Sequence, residues 1–121
     1  MSSIYLAAMY SKMHEMQEVA DRLKAAGHEI TARWINGDEE TMTKEQAALM
    51  DLADIDFAKI VIAFALPPKT MFNGGGRHVE FGYAYACGKR IIVVGEKGEN
   101  VFHYLPNIEH YPTLDAAIEA L

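Results

Sequence analysis

Apolar residues fall into two rhythms along the chain. The stretches "SIYLAAM" (3–9), "KIVIAFA" (59–65) and "RIIVVG" (90–95) are short and almost unbroken in apolar character, the signature of strands buried on both faces. "EITARWI" (29–35) alternates, with Ile30, Ala32 and Trp34 set against polar neighbours, and predicts another strand. "IEHY" (108–111) predicts a short fifth one. Between these runs the period lengthens. Met13, Met16, Val19, Ala20 and Leu23 recur at helical spacing, which predicts a helix from a Ser11 cap to about Ala26, ended by Gly27. Thr43 and Gln46 have capping-box spacing for a helix over about 44–57. A third helix runs from the glycines of "NGGGRHVEFGYAYACGK" (73–89) to Gly88, and Thr113 caps a terminal one in "TLDAAIEAL". "NVFHYL" predicts a helical turn before Pro106, and "NGDEET" and "LPPKTMFNGGG" read as loops, the latter because of its prolines.

Strands and helices thus alternate. With continuous apolar strands this order predicts an α/β fold: a five-stranded parallel sheet with helices on both faces, a flavodoxin-like, Rossmann-like three-layer sandwich of strand order 2-1-3-4-5. Such sheets bind ligands beyond the carboxyl ends of their strands, at the switch point between strands 1 and 3. The segments at that edge are Ala8 to Ser11, Leu66 to Arg77 and Gly95 to Phe102.

Composition narrows the partners. With 121 residues, half of them hydrophobic, the chain is expected to form a single domain, 1–121. A net charge of −6 gives no electrostatic footprint for a nucleic acid polymer. A lone cysteine, Cys87, leaves no internal disulfide, and no HExxH or HxxxH spacing occurs, so no metal is expected. No apolar run approaches the roughly 18 residues of a membrane span and no leader pattern opens the sequence, so a cytoplasmic, membrane-free protein is expected.

Several residues carry candidate chemistry. The glycines before the third helix can present backbone N–H groups to an anion, or serve as a turn and helix start. They match neither GxGxxG nor GxxxxGK[ST]. Glu80 reads either as a first-turn acid favoured by the helix dipole or as a carboxylate nucleophile toward a sugar carbon. The small residues after it, Gly82, Ala84 and Ala86, would let its helix lie close on the sheet. Tyr5 reads as a core tyrosine or as a hydroxyl reaching that carboxylate. Asp51 and Asp54 share a helix face, by default a solvated one. Cys87 reads as a small core residue.

Three stretches together resemble a known family. "SIYLAAMYS", "MDLADIDFAKIVIA" and "GGRHVEFGYAYACGKRIIVVG" resemble, in the right order and over nearly the whole chain, the nucleoside 2-deoxyribosyltransferase family. The third motif is the most specific, a glutamate followed by Gly-Tyr-Ala and a Gly-Lys turn into a strand. The resemblance puts Glu80 on the family's nucleophile, Tyr5 on the tyrosine that hydrogen-bonds it and Asp51 on an active-site aspartate. It implies exchange of the base of a 2′-deoxynucleoside for a free purine or pyrimidine base, through a deoxyribosyl ester on the glutamate, with retention. Asp51 is then the candidate acid for the leaving base. It implies no metal or cofactor; around the sugar and base the candidates are Ala7, Met9, Gly74, Gly75 and Gly76, with Asn73, His78 or backbone amides taking the sugar hydroxyls. It also implies a homo-oligomer, a dimer or multiple of dimers, with sites completed across the interface.

The chain departs from the family in two places. Family members carry another aspartate six residues before the nucleophile, where this chain has Gly74 beside Asn73. The asparagine lent by a neighbouring subunit aligns with Phe102, leaving His103 or Asn107 as substitutes. A related group, the deoxynucleoside 5′-monophosphate N-glycosidases, uses the same glutamate with water as acceptor and grips phosphate after strand 1. Here that place offers only Ser11 and Lys12, with Arg77 and Lys69 elsewhere. A third alternative is a nucleotide-binding module without turnover.

Overall fold

The computed structural model describes residues 1–67, 75–96 and 98–121 of the chain. Lys69, Asn73 and Gly74 lie outside the described residues. Five strands, β1 (Ser3–Ala7), β2 (Glu29–Ile30), β3 (Ile60–Phe64), β4 (Arg90–Val94) and β5 (Glu109–Tyr111), form one parallel sheet in the order β2-β1-β3-β4-β5. Tyr5 pairs with Val61, and Val61 with Ile91. The three central strands are the three unbroken apolar runs, because a strand with neighbours on both edges and helices on both faces has no wet side. Their side chains make up most of the core.

Helices α1 (Met13–Ala25) and α4 (Leu114–Glu119) are joined by an Arg22–Asp115 ion pair, while α2 (Lys44–Phe57) and α3 (Gly76–Ala86) pack on one another and on β1 across the sheet. The capping box of α2 forms as the spacing predicts: the Thr43 side chain accepts from Gln46 N–H and the Gln46 side chain accepts from Thr43 N–H. Thr113 caps α4 through Ala116 N–H. At the carboxyl end of β4 only glycine fits at position 95, where a Cβ would lie 2.9 Å from the Ala65 carbonyl oxygen.

Several local readings are corrected. The second strand ends at Ile30, not at residue 35. The buried Asp54 carboxylate accepts the Arg33 N–H at 3.0 Å and its guanidinium at 2.9 Å, and its backbone carbonyl accepts the Thr31 hydroxyl. These bonds take the chain off the sheet edge into a 3-10 turn, Trp34–Asn36, whose indole N–H donates to the Leu6 carbonyl at 2.9 Å. Asp54 is therefore no solvated residue, being 2 % exposed. Ser11 does not cap α1, because Tyr10–Lys12 forms its own 3-10 turn first. On α3 only Ala84, with Phe81, is seated in the core; Gly82 and Ala86 face outward, and Cys87 is exposed at the helix end. Finally, α3 begins at Gly76, so Glu80 is its fifth residue, past the first turn in which the dipole acts.

Candidate active site

Helix α3 presents Glu80 to the sheet and β1 presents Tyr5 to the helix. Tyr5 is fully buried, and its hydroxyl donates to Glu80 Oε2 at 2.7 Å. Alternation along β1 produces this: Tyr5 points to the face covered by α2 and α3, its neighbours Ile4 and Leu6 to the other. The pair lies under a cavity of about 260 Å3 at the carboxyl edge of the sheet. Ala8, Met9, Tyr10 and Trp34 give one wall, largely apolar and aromatic, with the Tyr10 and Trp34 rings 6.0 Å apart. Gly75, Gly76 and Arg77 give another, and Glu39, Asp51 and Glu80 contribute three carboxyl groups. Gly75 has φ +147°, and a Cβ there would meet no atom of the described residues within 4 Å.

Charge in the cavity is set by burial and by the acids' mutual repulsion. Burial pushes the Glu80 carboxyl up to about 7, opposed by the hydrogen bond from Tyr5 and helped by the charge of Glu39. Burial also pushes Asp51 up to about 8, with a hydrogen bond to Glu39 and the charges of Glu80, Glu39 and Asp54 acting the same way. The Tyr5 phenol is raised by burial and by the neighbouring acids, so it stays a hydrogen-bond donor. Two carboxyls with raised pKa thus share the cavity, and the Tyr5 hydrogen bond favours the ionised form of Glu80, an arrangement suited to a nucleophile beside a general acid.

The first turn of α3 is fixed from the far side. Arg77 is buried and its guanidinium forms a two-pronged bond with the buried carboxylate of Glu99; Nη1 to Oε1 is 2.8 Å. Glu99 Oε1 also accepts Leu66 N–H at 2.8 Å, so one carboxylate ties the end of β3, the segment after β4 and the start of α3 together. Burial alone would raise the Glu99 pKa, but these bonds outweigh it and hold it below the ordinary range.

The structure brings Tyr5, Met9, Asp51, Gly75, Gly76 and Glu80 together. Others lie elsewhere. Ala7 is fully buried within β1, one residue short of the cavity wall. His78 and Phe102 line a separate groove with Phe81, Gly82, Tyr85, Asn100 and Leu105, on another face of α3. His103 is buried against Phe81, ring centroids 5.0 Å apart, and Asn107 sits exposed in a turn at φ 69°. Within one chain these four do not reach the cavity. Sequence reasoning missed Trp34, Glu39 and Glu99. Trp34 reads as a strand residue until Asp54 is known to bend the chain there, and that same bend carries Glu39 over α2.

No family model and no curated protein sequence matches the chain. Solved structures do. A CMP N-glycosidase from Clostridium botulinum is 24% identical, with a TM-score of 0.67 over 98% of this chain and 95% of its own. A 2-deoxyribosyltransferase from Bacillus psychrosaccharolyticus is 18% identical, with a TM-score of 0.70 over 97% of this chain and 90% of its own. The 2-deoxyribosyltransferase from Leishmania mexicana, 15% identical, superposes with a TM-score of 0.75 over 99% and 96%. The fold is that of the 2-deoxyribosyltransferases. In the 2-deoxyribosyltransferase fold as this chain builds it, the cavity occupies the switch point between β1 and β3, where a doubly wound sheet offers its ligand site.

Proposed function

We propose that the chain is a member of the nucleoside 2-deoxyribosyltransferase family and exchanges the base of a 2′-deoxynucleoside through a covalent deoxyribosyl ester on Glu80. The observation that carries this reading is the Glu80 carboxylate held by the Tyr5 hydroxyl at 2.7 Å beneath a cavity it shares with Asp51. Glu80 attacks C1′, the glycosidic C–N bond breaks, and the Asp51 proton goes to the leaving base nitrogen. A free base then attacks C1′ from the vacated side, the ester bond breaks, and the proton returns to Asp51. Two inversions give net retention. Without an electron-withdrawing 2′-hydroxyl, positive charge develops more easily on the sugar ring, so a site with one carboxylate nucleophile and one acid suffices.

An unphosphorylated substrate fits the charge. Three carboxyl groups face the cavity, and the cation lining it among the described residues, Arg77, is held by Glu99. A phosphate there would meet repulsion. The CMP N-glycosidase likeness favours a second reading, hydrolysis, in which water takes the place of the second base. Product analysis separates the two. Deoxyinosine with adenine gives deoxyadenosine by transfer and free deoxyribose by hydrolysis; absence of both products overturns the family assignment.

Exposed Tyr85 of α3 and Phe102 of the Val101–Tyr104 turn line one largely apolar groove with Phe81 and Leu105. That face supports a homo-oligomer in which a second copy meets the first here. Phe102→Glu should leave a monomer in light scattering; an unchanged mass would place the interface elsewhere.

A further inference from the structure

We propose that Asp54 and Gln17 are positioning residues for the nucleobase: they hold the Trp34–Asn36 turn as a fixed aromatic wall of the cavity, and base affinity depends on them through that wall. The inference rests on the glycosyl-transfer reading above and deepens it.

The wall consists of two rings. The Tyr10 ring is half exposed and rests on the buried Trp34, with ring centroids 6.0 Å apart. Both residues line the cavity that Asp51 and Glu80 share. Aromatic faces take a flat heterocycle by stacking, whichever hydrogen-bonding edge it carries. That gain is largest when the rings already stand in place, because ordering side chains on binding subtracts from affinity.

Three elements hold the turn. From β1, the Leu6 carbonyl accepts the Trp34 indole N–H at 2.9 Å, which sets the orientation of the ring. From α1, Gln17 Nε2 donates to the Ile35 carbonyl at 2.7 Å, in the middle of the turn. From α2, the Asp54 carboxylate accepts the Arg33 N–H at 3.0 Å and pairs with the Arg33 guanidinium at 2.8 Å, at the residue just before the turn. Asp54 is buried, and the residues that line the cavity include neither it nor Gln17. Both act from behind the wall.

The same helix serves the wall and the chemistry. Asp51 stands three residues before Asp54 on α2, close to one helical turn. The element that presents the acid to the cavity therefore also anchors the wall on which the base lies. Glu80, which attacks C1′, stands on α3 and is held by Tyr5. Loosening the turn thus weakens the seat of the base and leaves the nucleophile where it is.

The test combines adenine titrations followed by the fluorescence of Trp34, the chain's single tryptophan, with base exchange between deoxyinosine and adenine. It uses wild type, Asp54→Asn and Gln17→Met. Asp54→Asn removes the charge that Arg33 pairs with, while the Asp54 carbonyl still accepts the Thr31 hydroxyl. Gln17→Met removes one hydrogen bond at nearly constant side-chain length, and it decides the matter where Asp54→Asn is poorly folded. The Kd and KM for adenine should rise by about three- to tenfold in each variant. Trp34 emission should move to longer wavelength in the unliganded variants. At saturating adenine, kcat should stay within about twofold of wild type and both limbs of its pH profile should stay in place. A merely structural role would lower the active fraction, and so kcat, and leave KM alone. A Kd and KM for adenine that are unmoved in folded Gln17→Met, or a loss confined to kcat, would overturn the proposal. Absence of base exchange in wild type would overturn the glycosyl-transfer reading instead, and the fluorescence titration tells the two failures apart because it needs no turnover.

Discussion

The Tyr5 hydroxyl donates to Glu80 Oε2 at 2.7 Å across 75 residues of chain. It stabilises the ionised carboxylate against burial, which pulls the other way. Tyr5→Phe keeps the buried ring and removes only this donor. Base exchange in wild type should rise through about pH 7 as Glu80 ionises and fall through about 8 as Asp51 loses its proton, values that belong to the coupled cavity as a whole. In Tyr5→Phe the acid limb should move upward by about one unit, lowering kcat/KM at pH 6 by about tenfold. A limb that stays in place would show that the hydroxyl does not act on the carboxylate.

Stability carries the same signature with its own sign. The folded-state pKa of Glu80 is raised from 4.5 to about 7. The protonated group therefore stabilises the fold fully below about pH 4.5, and that contribution is lost as pH rises through about 7. The loss is on the order of 3 kcal/mol. Glu80→Gln should flatten the fall in Tm between pH 5 and pH 8 and be the more stable protein at pH 8. A parallel fall in both proteins would mean that Glu80 is not the group responsible.

Glu99→Gln should destabilise strongly although it lies outside the cavity. It removes the carboxylate charge that faces the buried Arg77 guanidinium and weakens the tie from Leu66 to α3. Breaking one partner of a buried pair costs about 3–5 kcal/mol. Urea unfolding measures this, and a change below about 1 kcal/mol would show that the pair is not desolvated as described.

Trp34 is the chain's single tryptophan and lines the cavity. A purine or pyrimidine base entering beside Tyr10 and Trp34 should quench intrinsic fluorescence saturably. Asp51→Asn should retain quenching if Asp51 serves proton transfer. No quenching by a base that is a working acceptor would move the base to another wall.

The apolar rhythm was enough to read the sheet, its order and the α2 cap, because buried strands and a capping box are local patterns. The site was legible in part. Tyr5, Asp51 and Glu80 stood on motifs, and Met9, Gly75 and Gly76 at the carboxyl edge. What escaped depended on tertiary contact. Asp54, about three helical turns from the Thr43 cap of α2, ends the second strand by taking the Arg33 N–H, and only then do Trp34 and Glu39 line the cavity with Asp51. The dipole explanation of Glu80 failed because α3 starts at Gly76, and a run of glycines does not reveal which of them opens a helix. His78 is two residues from Glu80, and helical geometry sends the two side chains to different faces.

The most direct test of the glycosyl-transfer reading is the mass of the intact protein after brief incubation with a 2′-deoxynucleoside and acid quench, followed by peptide mapping. Expected is a single deoxyribosyl adduct on the peptide containing Glu80, lost when a free base is added before the quench and absent in Glu80→Gln. Base exchange that continues in Glu80→Gln, or wild-type turnover in which no adduct forms on Glu80, would contradict a covalent mechanism through this carboxylate.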